Sequence, residues 1–245
     1  MNIIGIIPAR YASTRFPGKP LIDISGKSMI RRVYEQAQQA SSLSHIVVAT
    51  DDERIFEHVL AFGGEAMMTS SAHQSGTDRC AEVVSNKMGF DIAINIQGDE
   101  PYIDPKQIDL LAGCFEEAKT QIATLVKAIK SKEELFNNNS PKVILNTNKD
   151  AIYFSRATLP FQRGVAPEDW LLHHKYYKHI GIYGYRCGVL KELTSLPVSS
   201  LERAESLEQL RWLENGYRIK TAETHFETVA IDEPSDLDKV TNLNK

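Results

Sequence analysis

The chain alternates short, nearly unbroken apolar runs with longer stretches in which apolar residues recur every three or four positions. Residues 3–7, 45–50, 92–96, 122–129 and 229–231 read as strands. The first three runs are almost wholly apolar, the pattern of parallel strands covered on both faces. Between them the period lengthens. Behind Ser28, a suitable helix cap, Met29, Ile30, Val33, Tyr34 and Ala37 fall on one stripe. Ile55, Val59 and Leu60 repeat the pattern after Asp51, Asp52 and Glu53, acids that favour a helix N-terminus. Residues 201–215 read as a single helix, with Glu205, Glu208, Gln209 and Trp212 on one face and a Glu208–Arg211 pair.

Strand–helix–strand alternation implies right-handed crossovers and a mostly parallel, Rossmann-like α/β sheet with helices on both faces. The segment 137–141 (Asn-Asn-Asn-Ser-Pro) is the clearest loop. Residues 142–220, rich in aromatic β-like segments and holding one strong helix, form a smaller second lobe. Residues 221–245 read as strand, turn and helix, returning to the first sheet. The expected organisation is one domain over 1–245, with a core from 1–141 and 221–245 and a lobe from 142–220.

Net charge is −4, from 28 basic and 32 acidic residues, so the overall field attracts no nucleic acid, and any bound phosphate must meet a local cluster of cations. No run approaches the roughly 18–20 apolar residues of a membrane span, so no membrane insertion is expected. Residues 1–9 lack a basic segment ahead of their apolar run, so no secretory leader is expected. Cys80, Cys114 and Cys187 are scattered and odd in number, which suits free thiols in a reducing cytoplasm.

In open α/β sheets ligands bind beyond the carboxyl ends of the strands. The loop after the first strand places Arg10, Arg15 and Lys19 within ten residues, with Ser13 between them and Pro17, Gly18 and Pro20 as punctuation. Guanidinium forks, a compact ammonium and hydroxyl donors form a cradle for polyphosphate. It is not a P-loop, since Leu21 stands where the first glycine would be, and no G-x-G-x-x-G follows the strand. Ser75, Gly76 and Arg79 in His-Gln-Ser-Gly-Thr-Asp-Arg allow two readings, ligand contact or a helix cap. Asp99 and Asp232 each end a strand, and each is followed two residues later by Pro101 or Pro234. They are either Mg²⁺ ligands or helix caps. The aromatic and polar positions around Arg156, His179 and Tyr183 fit a half-buried strand or a sugar pocket.

Seven segments taken together resemble the bacterial CMP-KDO synthetases, or 3-deoxy-manno-octulosonate cytidylyltransferases, a family with the nucleotide-diphospho-sugar transferase type of fold. They are R-Y-A-S-T-R-F-P-G-K-P-L, H-Q-S-G-T-D-R, N-I-Q-G-D-E-P, Y-F-S-R, H-I-G-I-Y-G-Y-R, Glu205–Arg211 and I-D-E-P-S-D-L, in the family's order from residue 5 to 237. The resemblance implies a cytidylyltransferase that joins CTP to the eight-carbon sugar acid (KDO), releases pyrophosphate, uses Mg²⁺, forms a homodimer and serves lipopolysaccharide synthesis. It assigns Arg10, Ser13, Arg15 and Lys19 to the CTP phosphates, and Ser75, Gly76 and Arg79 to the cytidine side. Asp99 and Asp232 would hold the metal, with Arg10, Lys19 and Asp99 catalytic. Arg156 would bind the sugar carboxylate, and Gln97, His179, Tyr183, Glu208 and Gln209 the sugar hydroxyls. Residues 164–178, with Trp170, His173 and His174, depart from the pattern. An 8-amino sugar acid, a nine-carbon sialic-type acid and a non-catalytic nucleotide-binding module are the alternatives.

Overall fold

The computed structural model describes residues 1–12, 16–226, 230–231 and 233–237. In chain order the strands are β1 (Ile3–Ala9), β2 (Asp23–Ile24), β3 (Lys27–Ser28), β4 (His45–Thr50), β5 (Ala66–Met68) and β6 (Ile92–Asn95). They continue as β7 (Ile122–Ala128), β8 (Lys142–Leu145), β9 (Ala151–Ser155), β10 (Tyr177–Arg186) and β11 (Ile219–Glu223). The helices are α1 (Met29–Ala37), α2 (Glu53–Ala61), α3 (Gly76–Asn86), α4 (Pro105–Gly113), α5 (Lys132–Phe136), α6 (Trp170–His173), α7 (Cys187–Ser195), α8 (Ser200–Glu205) and α9 (Gln209–Glu214).

The chain forms two compact units, Met1–Ala112 with Gly184–Thr194 and Phe226–Lys245, and Gly113–Tyr183 with Ser195–His225. The division falls after Ala112 instead of at the 137–141 loop. The reason is strand pairing: β7 lies parallel to β11, which ties residues 122–128 to the second unit.

In the first unit β1 is flanked by β4 and β6, and β5 lies outside β4, all parallel. Ile4, Ile6, Ile7, Val47, Val48, Ile92 and Ile94 have no exposed surface, which is what the unbroken apolar runs encode. Each following helix starts at a polar cap. Ser28 accepts from Arg31 N, Asp52 from Arg54 N, and Ser75 and Asp78 form a reciprocal capping box at α3.

Arg79, on α3, has no exposed surface. Its guanidinium donates to Asp51 Oδ2 at 2.7 Å and to Thr69 Oγ1 at 2.8 Å, joining α3 to the segments that leave β4 and β5. The sequence reading gave this cation to the nucleotide. Its charge is instead neutralised inside the fold by Asp51.

In the second unit β10 lies beside β7, and β8 runs antiparallel to both β9 and β10. Ile129, Leu135, Trp170 and Tyr176 form a local core. The segment that matched no family pattern therefore has a packing role through Trp170. Lys142 is fully buried, and its ammonium donates to the carbonyls of Asn137 and Ser140, both at 2.8 Å, which pins the loop read from the sequence.

The single helix expected over 201–215 is two. Ser206 adopts the left-handed region at φ 52°, between α8 and α9. Glu205 explains the break: its carboxylate accepts from Ser155 Oγ at 2.6 Å and Arg156 N at 2.9 Å, docking the end of α8 onto β9. Arg211 forks onto Glu202 with two bonds of 2.6 Å. Of the strand expected at 229–231, residues 230–231 are described and lie in no strand, while the helix expected at the chain's end falls largely outside the described residues.

Removing Asp51 would strand a buried guanidinium without its counter-charge. Asp51→Ala is expected to lower the unfolding free energy by about 3 kcal/mol or more, read by urea denaturation.

Candidate active site

In the first unit the chain leaves β1 into Arg10, whose Nη2 donates to Gln74 O at 3.3 Å at the surface. Gly18, at φ 71°, receives the chain after the phosphate-type loop and starts a short turn over Lys19–Leu21. Lys19 then reaches two distant segments. Its Nζ donates to Asp99 Oδ2 and to Ile231 O, both at 2.8 Å. Ile231 N closes the triangle on Asp99 O at 2.9 Å. The two side chains are 16% and 26% exposed, so the pair is sheltered yet reachable.

Asp99 arrives there because the chain runs on from the end of β6 through Ile96, Gln97 and Gly98. Gly98 passes so close to β1 that a Cβ would lie 2.8 Å from Pro8 O. Gly76 opens α3 beside the same strand, where a Cβ would meet Pro8 and Asn95 at 3.3–3.6 Å. Ser75 uses its hydroxyl oxygen to cap α3. Asn95 was missed by the sequence reading. It is 5% exposed, and its Oδ1 has no partner among the described residues. The available signal was a lone amide inside an otherwise apolar strand. Ser13, Arg15 and Asp232 lie outside the described residues.

The second unit gathers the other set. Arg156 follows β9, and its guanidinium donates only to carbonyls: Glu205 O at 2.7 Å, Asn138 O at 3.3 Å and Ser206 O at 3.4 Å. Its position is fixed, while no carboxylate neutralises it among the described residues. Gln209, the first residue of α9, is 5% exposed with its Nε2 unpartnered among the described residues. Tyr183 packs edge-on against Trp212 at 5.2 Å, and burial pushes its phenol well above the ordinary range, so it stays a neutral hydroxyl. Glu208 lies immediately before Gln209.

His179 packs on Phe154 and Tyr183, both at 5.2 Å between ring centroids. The residue keeps some exposure, but its ring is enclosed by these neighbours, and burial pushes its pKa down to about 3. Thr124 Oγ1 donates its single proton to a backbone carbonyl, with Ile182 O the nearer at 2.8 Å. Towards His179 Nε2, 3.0 Å away, Thr124 therefore accepts. The proton of the neutral ring is thus on Nε2, and Nδ1 carries the lone pair.

Against known proteins, the cytidylyltransferase family model matches residues 4–236. The 3-deoxy-manno-octulosonate cytidylyltransferase of Parabacteroides distasonis is 58% identical over 244 residues, 98% of this chain and 96% of that one. The one from Bacteroides thetaiotaomicron is 59% identical over 241 residues, 97% of this chain and 96% of that one. The solved structure of a CMP:2-keto-3-deoxy-manno-octonic acid synthetase complexed with CTP superposes with a TM-score of 0.92 at 45% identity, covering 100% and 98% of the two chains. This chain belongs to the 3-deoxy-manno-octulosonate cytidylyltransferases. The fold alone extends further. A 4-diphosphocytidyl-2C-methyl-D-erythritol synthase from Anaerococcus prevotii matches with a TM-score of 0.65 at 11% identity, over 100% of this chain and 99% of that one.

The donor set of this cytidylyltransferase bears on a divalent ion. No group of three or more His, Cys, Asp or Glu residues is arranged to hold a metal among the described residues. Mg²⁺ does not require one, because it is commonly held by one or two carboxylates with water and substrate phosphate completing the shell. The sheltered carboxylate of Asp99 fits that mode.

His179 sets an acid limit on stability. The unfolded chain takes up its proton near pH 6.5, while the folded ring resists down to about 3. The stabilising effect is complete above pH 6.5 and is lost on acidification, at most about 1.4 kcal/mol per pH unit. In urea titrations between about pH 7 and pH 5, His179→Gln is expected to flatten the fall in stability shown by the unsubstituted protein.

Proposed function

We propose that this chain transfers the cytidylyl group of CTP to the anomeric hydroxyl of KDO, giving CMP-KDO and pyrophosphate for lipopolysaccharide synthesis. The observation that carries the reading is the Lys19–Asp99 pair, a cation and a carboxylate 2.8 Å apart past the ends of β1 and β6. Such chemistry needs positioning and charge neutralisation rather than a covalent intermediate. The names of the relatives specify 3-deoxy-manno-octulosonate, and the 8-amino, nine-carbon and non-catalytic readings are set aside.

On this reading the first unit takes the nucleotide. Arg10 and Lys19 hold the triphosphate and neutralise charge developing on the departing pyrophosphate. Ser13 and Arg15 are assigned to the same phosphates, with Ser75 and Gly76 on the cytidine side. Asp99, together with Asp232, would hold Mg²⁺, which supplies a Lewis acid for phosphate and hydroxyl oxygens when bound. Asp99 meanwhile orients the Lys19 ammonium. The second unit takes the sugar acid. The Arg156 guanidinium, held by carbonyls alone, pairs with the sugar carboxylate. His179 Nδ1 accepts from a sugar hydroxyl and Gln209 Nε2 donates to one, with Tyr183 assigned beside them. Glu208 and Gln97 are assigned to the remaining hydroxyls.

We also assign a homodimer. Phe161 and Leu172 are 74% and 79% exposed beside the Trp170 cluster, and an apolar patch of this kind favours a second copy. A cytoplasmic setting suits the three free thiols.

Pyrophosphate release is expected only with CTP, KDO and Mg²⁺ together. Asp99→Asn is expected to lower kcat about 100-fold or more with the fold intact. Equal release without the sugar acid, or wild-type turnover in that variant, would overturn the reading. By sedimentation the protein should have twice the chain mass, and a Phe161→Ser, Leu172→Ser double variant should shift towards the monomer.

A further inference from the structure

Arg54 lies outside every assignment above, yet one carboxylate takes both its backbone and its side chain. Asp52 caps α2 by accepting from Arg54 N at 3.0 Å. The same carboxylate takes the Arg54 side chain in a fork, Nε to Oδ1 at 2.9 Å and Nη2 to Oδ2 at 2.6 Å. The two side-chain bonds orient the guanidinium plane and neutralise its charge. Arg54 is thus poorly suited to bind phosphate directly.

What it touches is Tyr11. The guanidinium carbon lies 3.3 Å from the centre of the ring. The other cation–ring contacts among the described residues lie at 4.9–5.8 Å. Tyr11 in turn holds Gly18. Its carbonyl accepts from Gly18 N at 2.9 Å, and a Cβ on Gly18 would lie 3.2–3.3 Å from the tyrosine ring and hydroxyl. Gly18 needs its positive φ to start the Lys19 turn. Arg10 precedes Tyr11 in the chain and Lys19 follows Gly18, so each phosphate-side cation is one residue from this contact.

We propose that Arg54 is a positioning residue for the nucleotide: held by Asp52, it fixes Tyr11, and Tyr11 fixes Gly18 and with it the placement of Arg10 and Lys19. This rests on the reading of CTP as the nucleotide substrate. The simpler role, stabilising the start of α2 through Asp52, predicts a loss of stability with no effect particular to CTP.

The test is CTP affinity by calorimetry, with KM for CTP and for KDO and thermal melting, on Arg54→Met, Tyr11→Ala, Tyr11→Phe and Arg54→Met/Tyr11→Ala. Arg54→Met keeps the aliphatic stem and removes the stacked fork. It and Tyr11→Ala are each expected to weaken CTP binding about fivefold, the upper range for an exposed cation–ring contact. The double variant should lose no more than about fivefold, because both changes break one contact. Tyr11→Phe, which keeps the ring, should remain within about twofold. KM for KDO should move less than about twofold in all four. Arg31→Ala, which removes an arginine lying over the Phe62 ring at 5.7 Å, is the control and should leave CTP affinity unchanged.

Unchanged CTP affinity in Arg54→Met, or losses that multiply in the double variant, would overturn the proposal, as would equal changes in KM for both substrates. If Tyr11→Ala fails to fold, the comparison of Tyr11→Phe with Arg54→Met still decides it. Wild-type protein that binds CTP but releases no pyrophosphate with KDO would overturn the proposed reaction, while the same affinities judge the positioning role. Absence of CTP binding to the wild type would overturn both.

Discussion

One ammonium group gathers three segments of the first unit. Lys19, Asp99 and Ile231 are far apart in the chain, and the Lys19 Nζ meets the Asp99 carboxylate and the Ile231 carbonyl at the same distance, 2.8 Å. The Ile231–Asp99 backbone bond closes the set. A partly sheltered pair of this kind is stronger than a surface ion pair and can still be reached by an anion. It also explains why the neighbouring backbone is so constrained. Gly98 passes β1 without room for a side chain, and Gly18 turns through positive φ. The local geometry is organised around bringing opposite charges together past the ends of parallel strands.

The second unit follows a different electrostatic plan. Its Arg156 guanidinium is held by backbone carbonyls, and the His179 and Tyr183 side chains are enclosed and neutral. Desolvation holds His179 unprotonated and Tyr183 in its phenol form. Such a surface discriminates by hydrogen-bond direction more than by charge, which suits a ligand with one carboxylate and several hydroxyls.

Much of this was legible in the sequence. Apolar runs located the parallel strands because burial on both faces leaves little room for polar residues, and 45–50 was read to the residue. The cap at Ser28 was equally plain. The failures have a common cause, which is that one side chain can serve the fold or the site and its spacing is the same in either case. Arg79 sits inside a motif and is consumed by Asp51 across 28 positions. Residues 201–215 have helical periodicity throughout, yet the bond from Ser155 to Glu205 spans 50 positions and ends the helix early. Asn95 was hidden by the apolar strand that surrounds it, and the Tyr11–Arg54 contact joins the loop after β1 to the first turn of α2, which no local pattern connects.

The hydroxyl of Thr124 has a consequence beyond its place in β7. Committing its only hydrogen to the main chain makes the neighbouring imidazole directional, with one nitrogen bearing the hydrogen and the other able only to receive one. An imidazole free to exchange tautomers would greet a fluorine or an ether oxygen as readily as an alcohol. A ligand that set such a group against this ring would face it with an electron pair and gain no hydrogen bond there.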